Sequence, residues 1–185
     1  LSSGRKVFVV KHKNSAPIER VKSKGAREVL DIKSLAEKCE IILLCLPDSK
    51  IVKQVFHKLV ENLTVHSIII DCTTNNLSTV VEIGSLAKSK NLRYVECPIT
   101  GGYQQSIDGK LGAMIGGSHE DYIVTKNILL PCCERIERIG SLGMGTKAKL
   151  ISNFLALGTA SLAIESLKAA KNLGIDWEKF YNLTS

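Results

Sequence analysis

Short, almost wholly apolar runs recur along this chain with a helix-length segment between them, and that alternation restricts the fold more than any other feature. Ile41-Ile42-Leu43-Leu44-Cys45-Leu46 is continuously apolar, which predicts a strand buried on both faces. Ser67-Ile68-Ile69-Ile70-Asp71 repeats the pattern. Lys6 to Val10 precedes these two runs, and Leu92 to Cys97, Ala113 to Ile115 and Arg135 to Ile139 follow them. Helix-like segments lie between: Pro17 to Lys24, ended by Gly25; Asp31 to Lys38, with Asp31 as its cap; Leu77 to Lys90; and Glu120 to Leu130. Another starts at Pro47-Asp48-Ser49 and carries Val52, Val55, Phe56 and Leu59 on one side. Strands joined through helices of this length cross over and pair in parallel, so the expectation is an α/β domain with a mainly parallel sheet.

After residue 142 the pattern changes. Gly143-Met144-Gly145-Thr146-Lys147-Ala148-Lys149-Leu150-Ile151-Ser152-Asn153 opens a single helix predicted from Thr146 to Leu173. It spans about 28 residues and roughly 42 Å. Phe154, Leu155, Leu157, Leu162, Ile164 and Leu167 make it apolar nearly all round, so it should be buried against a helical domain or a partner subunit. Gly174 ends it, and Asp176 caps a further helix carrying Trp177, Phe180 and Tyr181. The organisation expected is a sheet domain over 1–142 and the beginning of a helical domain over 143–185. Two glycines at 143 and 145 let the backbone approach whatever binds there. Lys149 and Asn153, four apart, share one helical face, where an ammonium and a carboxamide can reach the same substrate oxygen.

Composition excludes several function classes. The 185 residues are 44% apolar and 23% charged, ordinary for a globular protein, and no uninterrupted apolar run reaches membrane-spanning length. Six cysteines include no Cys-x-x-Cys, and the adjacent Cys132 and Cys133 are not a zinc spacing, so no metal is expected. Most of the thiols fall in or beside strand-like runs, as small hydrophobes do, which implies a reducing compartment: cytoplasmic, or the mitochondrial matrix if a targeting segment precedes Leu1. The net charge of +7 is concentrated early, with Glu19 alone facing eight Lys and Arg residues before position 28. Without interleaved aromatics or a DNA-binding motif, this block reads as a solvated face or a phosphate subsite rather than a nucleic-acid surface.

Four motifs occur in order: Pro98-Ile99-Thr100-Gly101-Gly102; Gly109-x-Leu111; Met114-Ile115-Gly116-Gly117; and Gly143-x-Gly145-x-x-x-Lys149-x-x-x-Asn153. With Leu46-Pro47 and Asp71-Cys72-Thr73-Thr74 after two strands, the chain resembles the β-hydroxyacid dehydrogenase family from Val7 onward. The resemblance implies a Rossmann-type domain, a long interdomain helix, an all-α domain and a nicotinamide cofactor. It implies Lys149 as the general acid/base at the aldehyde or ketone oxygen. Asn153 would hold the same end of the substrate. Thr100, with the Gly101 and Gly102 amides, would bind a substrate carboxylate, and Leu46, Pro47 and Thr74 would line the cofactor. Gly116-Gly117 is read as a turn. A homo-oligomer built through the helical part is expected as well.

The family's first strand and Gly-x-Gly-x-x-Gly phosphate loop find no counterpart in the sequence, so Lys6 to Val10 corresponds to the family's second strand and the missing element would precede Leu1. That second strand ends in Val10-Lys11-His12-Lys13-Asn14, with three basic side chains and no acid. Lys11, His12 and Lys13 suit a ribose 2′-phosphate, so NADP is favoured over NAD. The reading is an NADP-dependent oxidoreductase that interconverts a small β-hydroxy acid and its semialdehyde or keto form. The alternative is a catalytically silent, dehydrogenase-like scaffold; relatives of that kind have lost the lysine that stands here at 149.

Overall fold

A computed structural model describes residues 3–11 and 14–184, the last of them by its backbone alone. The chain divides into two compact units, Leu1–Lys149 and Leu150–Ser185. In the first unit, β1 (Phe8–Val10) and β2 (Arg27–Val29) pair in parallel across α1 (Ala16–Lys22) and form a two-stranded sheet of their own. Asp31 starts α2 (Ile32–Lys38), its carboxylate accepting from Ser34 N at 2.7 Å.

The larger sheet has six strands. β3 (Ile41–Leu44), β4 (Ile68–Asp71) and β5 (Arg93–Glu96) run parallel, joined through α3 (Ser49–Val60) and α4 (Leu77–Ser89). Asp48 caps α3 by accepting from Ile51 N at 2.9 Å. β6 (Ile99–Thr100) follows β5 almost directly, then the short α5 (Tyr103–Ile107), β7 (Leu111–Gly116), α6 (His119–Leu129) and β8 (Cys133–Gly140). β7 pairs antiparallel with β5 and β6 and parallel with β8. The parallel character therefore holds in β3, β4, β5 and the β7–β8 pair, and the reversal between β6 and β7 makes the sheet mixed.

β4 is the centre of the core. All four of its residues are buried, because helices cover both faces of the sheet there. On one face Ile69 joins Ile42, Leu44, Val52, Phe56, Leu59, Val80 and Ile83; on the other, Ile68 and Ile70 join Val95, Ile115, Leu129 and Ile136. β3 differs from its expectation. Ile42 and Leu44 are buried, but Ile41 and Leu43 are 45% and 50% exposed. β3 pairs with β4 alone, and among the described residues no helix lies over its second face. A continuous apolar run thus makes a strand that is covered on one side.

The second unit contains the greater part of α7 (Met144–Asn172) and α8 (Trp177–Thr184). Gly174, at φ +73°, stops α7 with a Schellman turn: Gly174 N donates to Lys171 O and Ile175 N to Ala170 O. Asp176 caps α8 by accepting from Lys179 N at 3.1 Å. The apolar surface of α7 is uncovered in this chain, with Phe154 79%, Leu157 68% and Leu162 70% exposed. The expected burial is absent because the eight-residue α8 is too short to cover such a helix. By length and composition α7 could cross a membrane, with a mean hydropathy of 1.4 in its most apolar window.

Phe56 is fully buried and meets the Tyr94 ring edge-on at 6.0 Å. Phe56→Ala should cost about 3–5 kcal/mol, the range for truncating a buried aromatic, measured by urea denaturation.

Candidate active site

The start of α7 is organised by an acid. Glu96 ends β5 and is 1% exposed. One carboxylate oxygen accepts from Gly143 N and from Gly145 N at 3.0 Å; the other accepts from Thr146 N at 2.9 Å and from the Thr146 hydroxyl. The first amides of a helix have no partner within it, and the helix dipole makes that end positive, so a buried carboxylate satisfies both demands at once. Glycine is required where the chains meet. A Cβ on Gly116 would collide with the Glu96 carboxyl, whose Cδ would lie at 2.7 Å; a Cβ on Gly145 would strike the Met114 carbonyl. The glycines read as room for a ligand make room for a carboxylate of the protein itself. Gly116 correspondingly ends β7 and is no free turn, while Gly117 N donates to Gly140 O at 3.0 Å.

This cap fixes the helix that carries Lys149. Lys149 is 9% exposed and has no hydrogen-bond or ion-pair partner among the described residues. Burial pushes its ammonium below the usual lysine value of 10.5. Asn153 is half-buried and follows four residues later on the same helix, in the second unit.

A second group of residues gathers at the carboxyl ends of β3 and β4, the edge where open α/β sheets bind ligands. Leu46 N donates to Thr73 Oγ1 at 3.0 Å, which joins the two strand-end loops. Pro47 and Thr74 are exposed beside them, and Leu46 is half-buried. Asp71 lies beneath, fully buried, accepting from Thr73 N at 3.0 Å, Asn75 Nδ2 at 2.8 Å and Tyr94 Oη at 2.9 Å. Burial raises the Asp71 carboxyl above its ordinary value, and these hydrogen bonds oppose that rise. Burial, with Asp71 nearby, also pushes the Tyr94 phenol up. Asn75 Oδ1 is buried without a partner, an unused acceptor in the β4 loop. An open rim with an unpaired polar atom below it fits a dinucleotide bound across these strand ends.

The third group is the Thr100 loop. Thr100 is half-buried and its methyl packs against Gly112, where a Cβ would lie 2.7 Å from it. Gly101 has φ +130°, a conformation that favours glycine. The Gly102 amide is already engaged, donating to Gln105 Oε1 at 2.9 Å, so a carboxylate would have to displace that side chain. Of the basic trio, His12 and Lys13 lie outside the described residues. Lys11 is exposed; the carboxyl of Glu28 on the neighbouring β2 is held lower chiefly by Lys22, which donates to it at 2.8 Å, and to a smaller degree by the charge of Lys11. An acid from the next strand thus lies near a segment whose own sequence has none.

Residues 1–140 match the NAD binding domain of 6-phosphogluconate dehydrogenase. The chain belongs to the β-hydroxyacid dehydrogenase family. It is 30% identical over 161 residues to a probable mitochondrial 3-hydroxyisobutyrate dehydrogenase of Dictyostelium discoideum, which covers 85% of this chain and 49% of that protein. The chain spans about half the length of the curated relatives it matches. Among solved structures, 3-hydroxyisobutyrate dehydrogenase of Mycobacterium tuberculosis, determined with L-serine, superposes with a TM-score of 0.87 at 20% identity, covering 98% of this chain and 62% of that one. Imine reductase from Myxococcus stipitatus, in complex with NADP+, gives 0.88 at 18% identity, with 99% and 65% covered; a variant of it was solved with NAD+. These likenesses place the fold as a Rossmann-like α/β domain followed by a long helix.

Sequence reasoning missed Glu96 and Asp71 as organising acids. The signal was present in each, a carboxylate closing a strand directly after apolar residues, Ile68 to Ile70 before Asp71 and Tyr94 and Val95 before Glu96. Glu96→Gln should lower stability by about 2–4 kcal/mol, because an amide cannot accept from four donors and loses the charge–dipole attraction. Denaturant unfolding at neutral pH measures it.

Proposed function

We propose that the protein carrying this chain is an NADP-linked oxidoreductase that interconverts a small β-hydroxy acid and its semialdehyde or keto form. The observation that carries this reading is Lys149: buried, unpaired, and set on a helix whose start is pinned by Glu96. A bound nicotinamide supplies or accepts the hydride. In reduction the Lys149 ammonium donates a proton to the carbonyl oxygen as negative charge develops there; in oxidation the neutral amine takes the hydroxyl proton. The lowered ammonium pKa suits both directions, since the proton is held less tightly than on an exposed lysine. Asn153 holds the same oxygen. Thr100, Gly101 and Gly102 receive the substrate carboxylate once Gln105 gives way, and the small residues at 101 and 102 let backbone amides face it.

Leu46, Pro47 and Thr74 line the cofactor at the strand ends, over 1–142, and residues from 143 onward begin the helical domain. Lys11, His12 and Lys13 hold the 2′-phosphate. The uncovered face of α7 supports assembly through the helical part into a homo-oligomer. Ser152, Asn153, Thr159, Ser161 and Ser166 distributed along α7 favour protein over lipid as its cover. Six free thiols support a reducing compartment, the cytoplasm or the mitochondrial matrix.

Lys149→Ala should lower turnover by about 10²–10⁴-fold with cofactor affinity nearly unchanged, measured by steady-state kinetics and cofactor titration. Near-normal turnover in this variant would end the assignment. The pH profile gives the sign. Reduction should slow as pH rises through the Lys149 pKa, which lies below 10.5, and oxidation should accelerate over the same range. Lys149→Arg, which keeps its proton throughout, should abolish that limb. For the cofactor, Lys13→Asp should reverse a preference for NADP; identical kinetics with NAD and NADP before and after the change would refute the phosphate subsite.

A further inference from the structure

Pro131 and Cys132 form the turn between α6 and β8, Cys133 opens β8, and the two sulfur atoms lie 3.9 Å apart. Cys133 is 3% exposed, while Cys132 is half-buried and its thiol donates to Leu129 O at 3.2 Å. The turn is held in place by its neighbours. Arg5 donates to Asn127 O and Ile128 O at the end of α6, and Leu111 N donates to Cys132 O at 3.3 Å. Leu111 pairs with Cys133 in the sheet and also packs under Gly101, where a Cβ would meet its side chain at 2.9 Å. The dithiol therefore lies one strand away from the Thr100–Gly102 loop.

We propose that Cys132 and Cys133 are a redox-active vicinal dithiol, oxidised by a hydroperoxide to a vicinal disulfide. Two features fit the two chemical roles. Cys132 is the more accessible sulfur, and its hydrogen bond with the Cys133 thiol brings its pKa down to about 7, so it ionises more readily than an ordinary thiol, giving up its own hydrogen bond to Leu129 O as it does. Cys133 is held as the thiol by the same interaction and by burial, which push its pKa up, and it is positioned to resolve the oxidised partner.

With hydrogen peroxide the chemistry balances. The Cys132 thiolate attacks one peroxide oxygen, the O–O bond breaks, and hydroxide leaves, giving a sulfenic acid. The Cys133 sulfur then attacks the Cys132 sulfur; the S–S bond forms, the S–O bond breaks, and the thiol proton departs with the hydroxyl as water. Two thiols are oxidised by two electrons, and one peroxide is reduced to two waters. Closing the sulfurs from 3.9 Å to bonding distance moves the Cys132 backbone, and with it the carbonyl that holds Leu111.

The test treats the reduced protein with hydrogen peroxide, alkylates it with iodoacetamide, and weighs the peptide containing both cysteines. The expected product takes up no alkyl groups and is about 2 Da lighter than the free dithiol, a change reversed by dithiothreitol. In Cys133→Ser the sulfenic acid on Cys132 should persist and be trapped by dimedone; in Cys132→Ser the remaining Cys133 should stay unoxidised. Two thiols still alkylated after peroxide, a bond from Cys132 to Cys72 or to another chain, or rapid oxidation of Cys133 in Cys132→Ser would each overturn the proposal. None of these readouts depends on the enzyme activity.

Discussion

A single buried carboxylate joins the sheet to the long helix. Glu96 stands at the end of β5 and accepts from two glycine amides and from both the amide and the hydroxyl of Thr146. An unpaired ion in that position would be strongly destabilising, and the three amides it caps would be costly to bury without a partner. Each problem removes the other. The consequence is local: the first turn of α7 is anchored at the end of β5, and Lys149 lies three residues beyond the capped Thr146. The motif Gly143-x-Gly145 and the glycine at 116 are then understood as clearance for the acid, since a side chain at 116 or 145 would overlap it or the β7 backbone.

The rest of the first unit gives Glu96 a rigid platform. β4 is buried on both faces, so its carboxyl end is among the most constrained points of the fold. From there Asp71 binds Thr73, Asn75 and Tyr94, and Thr73 in turn holds Leu46 on the neighbouring strand. Loops that could otherwise wander are tied to strands through polar groups that must be satisfied because they are buried. The crevice edge is thus shaped by hydrogen bonds below it, while Pro47 and Thr74 remain exposed at its rim.

Local signals carried the architecture well. Asp31, Asp48 and Asp176 start their helices as caps, Gly174 stops α7 in a left-handed turn, and the strand runs fall within a residue or two of their predicted positions. Such features are decided within a few residues of chain. What could not be read depends on partners distant in sequence. β3 is apolar throughout yet half uncovered, since burial is set by which helix lies over it. Glu28 reaches the vicinity of Lys11 only because β1 and β2 pair in the register Val9–Glu28 and Val10–Val29, a pairing of residues 19 apart that no local window shows. The role of Glu96 needed a contact spanning 50 residues to Thr146.

The same acid also explains why Lys149 can remain unpaired. A carboxylate within ion-pair distance would stabilise the ammonium and raise its pKa, and each unit of such a shift corresponds to about 1.36 kcal/mol. Glu96 is the buried acid at the start of the same helix, but its two oxygens already receive four hydrogen bonds from that start. No ion pair joins it to Lys149 among the described residues. Its charge is directed at the helix end, and the lysine one turn further on experiences burial without a counter-ion, so desolvation alone acts on it and moves its pKa down. An acid used for structure thereby leaves the Lys149 amine without a counter-ion, as the proposed proton transfer requires. That separation, more than the presence of a lysine in a motif, is what makes proton transfer at position 149 physically reasonable.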